Sequence, residues 1–219
     1  MGRVVTGTPA ACDDTIAGVA TVVVFADIVC PFAYIGLTRL IERRRTLGRD
    51  DVRLQIRSWP LELVNAKRVD GHFIGEEIDE IRPQVGDGLF SNFDVNAFPA
   101  TSLPGLALTA QAYAVDDATG EAVAMELRSL LFEQGVDVSD AAVLAEVAER
   151  HGLAGDADID LALAEYAEGR ERGVVGSPHF FIGESSIFCP TLDIKRVDGA
   201  LQVTIDEAEF ESLIASCFG

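Results

Sequence analysis

Thr21-Val22-Val23-Val24-Phe25-Ala26-Asp27-Ile28-Val29-Cys30-Pro31-Phe32-Ala33-Tyr34-Ile35-Gly36 contains the change of period on which the fold turns. Thr21 to Ala26 is β-branched or apolar throughout, the pattern of a strand covered on both faces at the centre of a sheet. That run stops at Asp27. From Pro31 onward Phe32, Ile35, Leu37, Leu40 and Ile41 follow a helical period, the basic run Arg43 to Arg45 suits the negative end of the helix dipole, and Gly48 closes the helix. Pro31 is tolerated because the first helical N–H would have no partner anyway. Cys30 thus falls between a buried strand and the first turn of a helix. Unpaired backbone N–H groups and the positive dipole end stabilise a thiolate there, so the expectation is an exposed nucleophile with a lowered pKa. An inert cysteine that only packs is the competing reading.

Val52 to Trp59 alternates Val52, Leu54, Ile56 and Ser58 against Arg53, Gln55, Arg57 and Trp59, a second strand ended by Pro60. Between Leu61 and Gly173 no strand pattern is evident. The first part of this region, to Leu103, is punctuated by Gly, Asn and Pro. The second part reads as helices at Leu106 to Val115, Glu121 to Gln134, Ala141 to His151 and Ile159 to Arg172, separated by Gly120, Gly135, Gly152 and Gly173. Ser139, and Asp156 or Asp158, are the expected N-caps. Strand period returns at Pro178 to Ile182 and Ser186 to Phe188, a hairpin about Gly183 to Ser185. Asp206 with Glu209 then caps a last helix whose buried stripe is Phe210, Leu213, Ile214 and Phe218. The order is β-α-β, a helical insertion, a helix, a β-hairpin and a terminal helix. The expected division is a flexible leader over 1–18, a discontinuous domain over 19–60 and 174–219, and the insertion over 61–173.

Composition excludes several function classes. The chain has 219 residues, 48% of them hydrophobic, enough for a sizeable core, and a net charge of −19 from 36 acidic against 17 basic residues. Such a surface repels phosphate backbones and anionic lipid, so neither nucleic acid nor membrane is expected as a partner. The four cysteines, Cys12, Cys30, Cys189 and Cys217, lack paired spacing, and the N-terminal stretch lacks the layout of a signal peptide; free thiols and a cytoplasmic location are expected. No spacing of His, Cys, Asp or Glu resembles a metal site, and no bound cofactor is expected.

Val174-Val175-Gly176-Ser177-Pro178 lies between a helix and an apolar strand, where a cis X-Pro bond turns a chain sharply; a trans Pro at a strand start is the alternative. Together Phe25 to Gly36 and Gly173 to Gly183 resemble the DsbA-like branch of the thioredoxin superfamily, an α/β fold with an inserted helical domain. Within it the first segment is most similar to FrnE-type proteins, with their Asp-x-x-Cys-Pro-Trp-Cys-x-x-Gly pattern. The resemblance runs from about Thr21 to the C-terminus. It implies that Cys30 is the nucleophile and that Pro31, Phe32, Ser177 and Pro178 contact substrate.

The departure is at Ala33, where the family pattern has its second cysteine. Without that thiol the intramolecular release step of a dithiol oxidant is lost. Three readings follow. Cys30 acts as a monothiol oxidoreductase, on a small-molecule thiol or a protein disulfide, with a low-molecular-weight thiol or another cysteine resolving the adduct. Alternatively the chain resembles kappa-class glutathione transferases and 2-hydroxychromene-2-carboxylate isomerases, which activate a thiol cofactor at the same helix start. Or the scaffold is a non-catalytic binding module. A homodimer is left open.

Supporting roles are weighed against plainer ones. Cys189, ahead of Pro190 at the end of the returning hairpin strand, is a candidate resolving thiol or a buried strand-end cysteine. His179 lies near the thiolate or is structural. Asp27 accepts a proton or caps the helix start. Phe32, Tyr34 and Trp59 line a groove over the sulfur or pack in the core. His72 reads as a loop residue and His151 as a helix end.

Overall fold

The computed structural model describes residues 20–85, 88–189, 192–197 and 200–218; the expected leader over 1–18, Cys12 and Pro190 lie outside the described residues. Strand β1 (Ala20–Ala26) runs parallel to β2 (Val52–Ser58), joined by helix α1 (Pro31–Leu47). After α2 (Leu61–Val64), α3 (Gly71–Val85), α4 (Leu103–Tyr113), α5 (Asp117–Gln134), α6 (Ala141–Arg150) and α7 (Ile159–Glu171), the chain returns as β3 (His179–Ile182) and β4 (Ser185–Phe188). β3 pairs antiparallel with both β1 and β4, giving the sheet order β2-β1-β3-β4. The chain then forms a separate two-stranded sheet, β5 (Leu192–Val197) with β6 (Ala200–Ile205), and ends in α8 (Glu207–Phe218). This is a thioredoxin-like α/β fold in which helices fill the connection between β2 and β3. Among the described residues no helix is long and apolar enough to cross a membrane.

β1 is apolar throughout because the sheet is covered on both sides. Val22, Val24 and Ala26 join the main core with α1 and α8, while Val23 and Phe25 join Trp59, Val174 and Phe181 under α7. Gly169 of α7 is a close-approach position: a Cβ there would sit 2.9 Å from the rings of Phe25 and Trp59. β2 alternates as expected, with Val52, Leu54, Ile56 and Ser58 inward. Its outer edge is covered rather than left open to pairing. The Tyr113 hydroxyl accepts from the Ile56 N–H and donates to the Leu54 carbonyl, both at 3.0 Å. The Glu165 carboxylate takes the Ser58 N–H at 2.8 Å.

Several local expectations need correction. Asp140, not Ser139, caps α6, accepting from the Ala142 N–H; the Ser139 hydroxyl instead donates to Asp137. Asp158 rather than Asp156 caps α7. His72 is in α3, not in a loop, and His151 pairs with Glu126 at 2.6 Å at the end of α6. The β5-β6 pair was not anticipated, although Asp198-Gly199 between two alternating runs is a strong hairpin signal.

Candidate active site

Cys30 is the N-cap of α1, with extended backbone and no capping bond from its side chain. Its Sγ instead donates to the Ser177 carbonyl at 3.2 Å, across 147 residues of sequence. The Ser177–Pro178 peptide bond is cis. The thiol is only 3% exposed. This overturns the expectation of an exposed sulfur with a lowered pKa: burial pushes the Cys30 thiol up to about 12, and the charges of Glu77 and Asp27 add to the rise. The Ser177 side chain and the backbone at Ala33 pull the other way without prevailing. Desolvation of the anion outweighs the helix end because the dipole is worth no more than about 2 kcal/mol, whereas taking a charge fully out of water costs several.

A buried polar network holds the loop that carries this sulfur. The Asp27 N–H donates to the Ser177 hydroxyl at 2.9 Å. The Asp27 carboxylate accepts from Leu61 N–H at 2.6 Å and Val29 N–H at 3.3 Å. Burial raises its pKa, while these amides, the Ser102 side chain and the Arg128 charge oppose the rise. Arg128, fully buried on α5, donates to the Asp27 carbonyl at 3.3 Å and to its own helix at Ala124. Burial pushes that guanidinium down to about 10, with the charges of Asp27, Tyr113 and Cys30 holding it up. One guanidinium and one carboxyl group thus lie buried next to the loop that leads to Cys30, both out of water.

Cys30 forms part of the wall of a cavity of about 610 Å³, bounded by Pro31, Phe32, Glu77, Ser177 and Phe188. Phe73 and Phe188 are exposed at its rim, and Lys67 and Arg68 bring positive charge to it. A larger hollow of about 1000 Å³ lies over α1, β2 and α5. It is lined by the ion pairs Arg44–Glu121 and Arg53–Asp117 and contains no cysteine or histidine.

The remaining candidates divide. Pro31, Phe32 and Ser177 line the cavity with Cys30, and Pro178 follows Ser177 at the start of β3. His179 is buried: its Nδ1 accepts from the Val175 N–H at 3.2 Å, its Nε2 meets the Ser186 hydroxyl at 3.1 Å, and its ring stacks on Phe181. Burial lowers its pKa, with the Arg172 charge adding to the effect, and an accepting Nδ1 leaves the proton on Nε2. It is a structural histidine. Tyr34 stacks on Phe132 and Trp59 packs against Tyr166, so of the three aromatics only Phe32 lines the cavity. Cys189 is buried and unbonded, its N–H donating to the Pro178 carbonyl at 2.9 Å. Glu77 and Arg128 were missed. Each is a charged residue on the apolar stripe of its helix, beside Ile74 and Ile78 in one case and Ala124 and Leu127 in the other, which is the visible sign of a buried charge.

Comparison with known proteins agrees with this architecture. The structure resembles the cytosolic disulfide reductase DsbM from Pseudomonas aeruginosa, with a TM-score of 0.55 at 17% identity over 90% of this chain and 97% of that one. It also resembles a 2-hydroxychromene-2-carboxylate isomerase, with a TM-score of 0.57 at 16% identity over 77% and 88% of the two chains. A third likeness is to a probable DsbA oxidoreductase from Streptomyces coelicolor, with a TM-score of 0.58 at 18% identity over 90% and 89%. At such identities these likenesses speak to the fold. No curated protein matches the sequence. The model of the DSBA-like thioredoxin domain matches residues 21–202, from the first strand into the last sheet, and the chain belongs to that family.

Proposed function

We propose that this protein is a thiol oxidoreductase that works through Cys30, with no second thiol in its Cys30-Pro31-Phe32-Ala33 segment. The observation that carries the reading is the Cys30 sulfur in a cavity wall, 3.2 Å from the Ser177 carbonyl, with Ala33 where a partner thiol would stand. The first step is thiol-disulfide exchange. Cys30–SH and a substrate R–S–S–R give Cys30–S–S–R and R–SH, the thiol proton leaving on the departing sulfur. The free thiol is held neutral, and the Ser177 side chain, which lowers its pKa, is the group placed to steady the sulfur as charge develops on it during the exchange.

The lining offers a substrate apolar surface from Phe73 and Phe188 and charges of both signs, Lys67 and Arg68 against Asp70 and Glu77. A low-molecular-weight thiol fits as co-substrate, with no resident cofactor. A second reading rests on the burial of Cys30, which suits a thioredoxin-fold binding module as well as a guarded nucleophile.

Mass spectrometry after exposure to oxidised glutathione separates the two. The expected result is a mixed disulfide on Cys30 that is absent from Cys30→Ser. No disulfide of any kind formed at Cys30 at neutral or alkaline pH overturns the proposal in favour of the binding module. Saturable binding of reduced glutathione without any adduct overturns it in favour of a transferase or isomerase.

A further inference from the structure

We infer that Cys189 is the resolving thiol of this site, attacking the Cys30 sulfur of the mixed disulfide and closing a Cys30–Cys189 disulfide in its place. The inference rests on the monothiol reading of the first step and supplies the second, which the Cys30-Pro31-Phe32-Ala33 segment cannot.

The geometry comes from the β3-β4 ladder. His179 is opposite Phe188, and the pairing extends one residue further, where the Cys189 N–H donates to the Pro178 carbonyl at 2.9 Å. Residues paired in this way have Cα atoms about 5.5 Å apart, which puts Cys189 beside Pro178. The preceding carbonyl, that of Ser177, accepts from the Cys30 sulfur at 3.2 Å. Two cysteines distant in sequence are therefore attached to successive carbonyls of one short segment, Cys30 through its sulfur and Cys189 through its backbone N–H. A disulfide needs Cα atoms within about 7 Å, a spacing to which neighbouring anchors of this kind are suited.

The backbone of Cys189 provides an independent sign. Its φ is +45°, a left-handed conformation shared among the described non-glycine residues only by Ala66 and Phe90. Cysteine has no local polar group to favour that conformation, which costs of order 1–3 kcal/mol and recurs where function demands a particular side-chain direction. Burial is the main reason the Cys189 thiol is pushed up to about 12, with the charges of Cys30, Glu209 and Glu77 adding to the rise. Cys217 is the internal comparison. It is equally buried, free and raised to about 12, but by burial alone, with no contribution from Cys30.

The chemistry balances as two exchanges. Cys30–SH and R–S–S–R give Cys30–S–S–R and R–SH; Cys189–SH and Cys30–S–S–R then give Cys30–S–S–Cys189 and a second R–SH. One substrate disulfide is reduced while two protein thiols are oxidised, and a low-molecular-weight thiol returns the enzyme to its starting state by reducing the internal disulfide.

The test is a time course of the full chain with oxidised glutathione, quenched in acid and mapped by non-reducing peptide mass spectrometry. In the wild type the expected course is a glutathione adduct on Cys30 that decays into a peptide linking Cys30 to Cys189, with two glutathione molecules released per chain. In Cys189→Ser, or in Cys189→Ala should the serine variant not fold, the adduct persists and one is released. A Cys30 adduct that persists equally in wild type and variant overturns this inference and leaves the monothiol reading standing. A link from Cys30 to Cys12 or Cys217 overturns it as well. Absence of both a Cys30 adduct and a Cys30–Cys189 link in the wild type, with no Cys30 adduct in Cys189→Ser, sinks both.

Discussion

The backbone N–H of Asp27 donates to the hydroxyl of Ser177 at 2.9 Å, tying the end of the first strand to the loop before the third across 150 residues of sequence. The same serine accepts the Cys30 thiol on its carbonyl, so one residue bonds both the end of the first strand and the sulfur. Ser177→Ala is expected to leave the Asp27 N–H buried and unpaired, a cost of about 1–3 kcal/mol. It also removes the side chain that lowers the Cys30 pKa, so alkylation by iodoacetamide slows. Chemical denaturation and the alkylation rate, measured on one preparation, check both outcomes.

Asp27 and Arg128 act on the sulfur with opposite sign. The Asp27 charge raises the Cys30 pKa, whereas Arg128 and Cys30 attract when both are charged. Asp27→Asn, which removes the charge but leaves a single oxygen for the Leu61 and Val29 N–H groups, is expected to speed alkylation at pH 9, and Arg128→Met to slow it. The second variant also breaks a buried charge arrangement, a loss of about 3–5 kcal/mol in stability. Equal and same-signed changes in both rates would contradict this arrangement of charges.

With its pKa pushed up to about 12, Cys30 is neutral at pH 7, and the reactive thiolate fraction grows with pH. Alkylation of Cys30 should rise about tenfold per pH unit from neutrality upward, with no plateau near the ordinary thiol pKa of about 8.5. The fold responds in the opposite direction. Cys30, Cys189 and Cys217 are all raised from 9.0 to about 12, so the unfolded chain releases these protons first. Their contribution to stability is complete below pH 9 and is lost as pH rises towards 12. Thermal midpoints across that range should fall, and Cys217→Ala should fall less steeply than the wild type.

Gly120 marks a packing limit away from the cavity. A Cβ at this position would lie 2.2 Å from the ring of Tyr113, whose hydroxyl bridges Ile56 and Leu54 on the outer edge of β2. Gly120→Ala should therefore displace the ring and uncover the edge, costing about 1–3 kcal/mol in denaturant unfolding despite the better helix propensity of alanine. A stabilised variant would show that the ring is free to move.

Much of this arrangement is legible residue by residue. Thr21 to Ala26 declares a doubly covered strand, Pro31 and Gly48 bracket a helix, and the inward set Val52, Leu54, Ile56 and Ser58 matches the observed burial, because these patterns arise from backbone period and local sterics. Asp206 and Glu209 mark the start of the last helix for the same reason, with the Glu209 N–H on the Asp206 carboxylate at 2.9 Å. The fates of Tyr34, Trp59 and His179 were less legible. A single aromatic or imidazole fits a groove and a core equally well until its neighbours are known.

By itself the sequence determined the β-α-β start, the place of Cys30 at the mouth of a helix, and the loss of a partner thiol at Ala33. Tertiary structure alone decided the state of that sulfur. Ser177, Glu77 and Arg128 reach it from elements far apart in sequence, and desolvation, unlike backbone period, depends on everything packed around a group rather than on its neighbours in the chain.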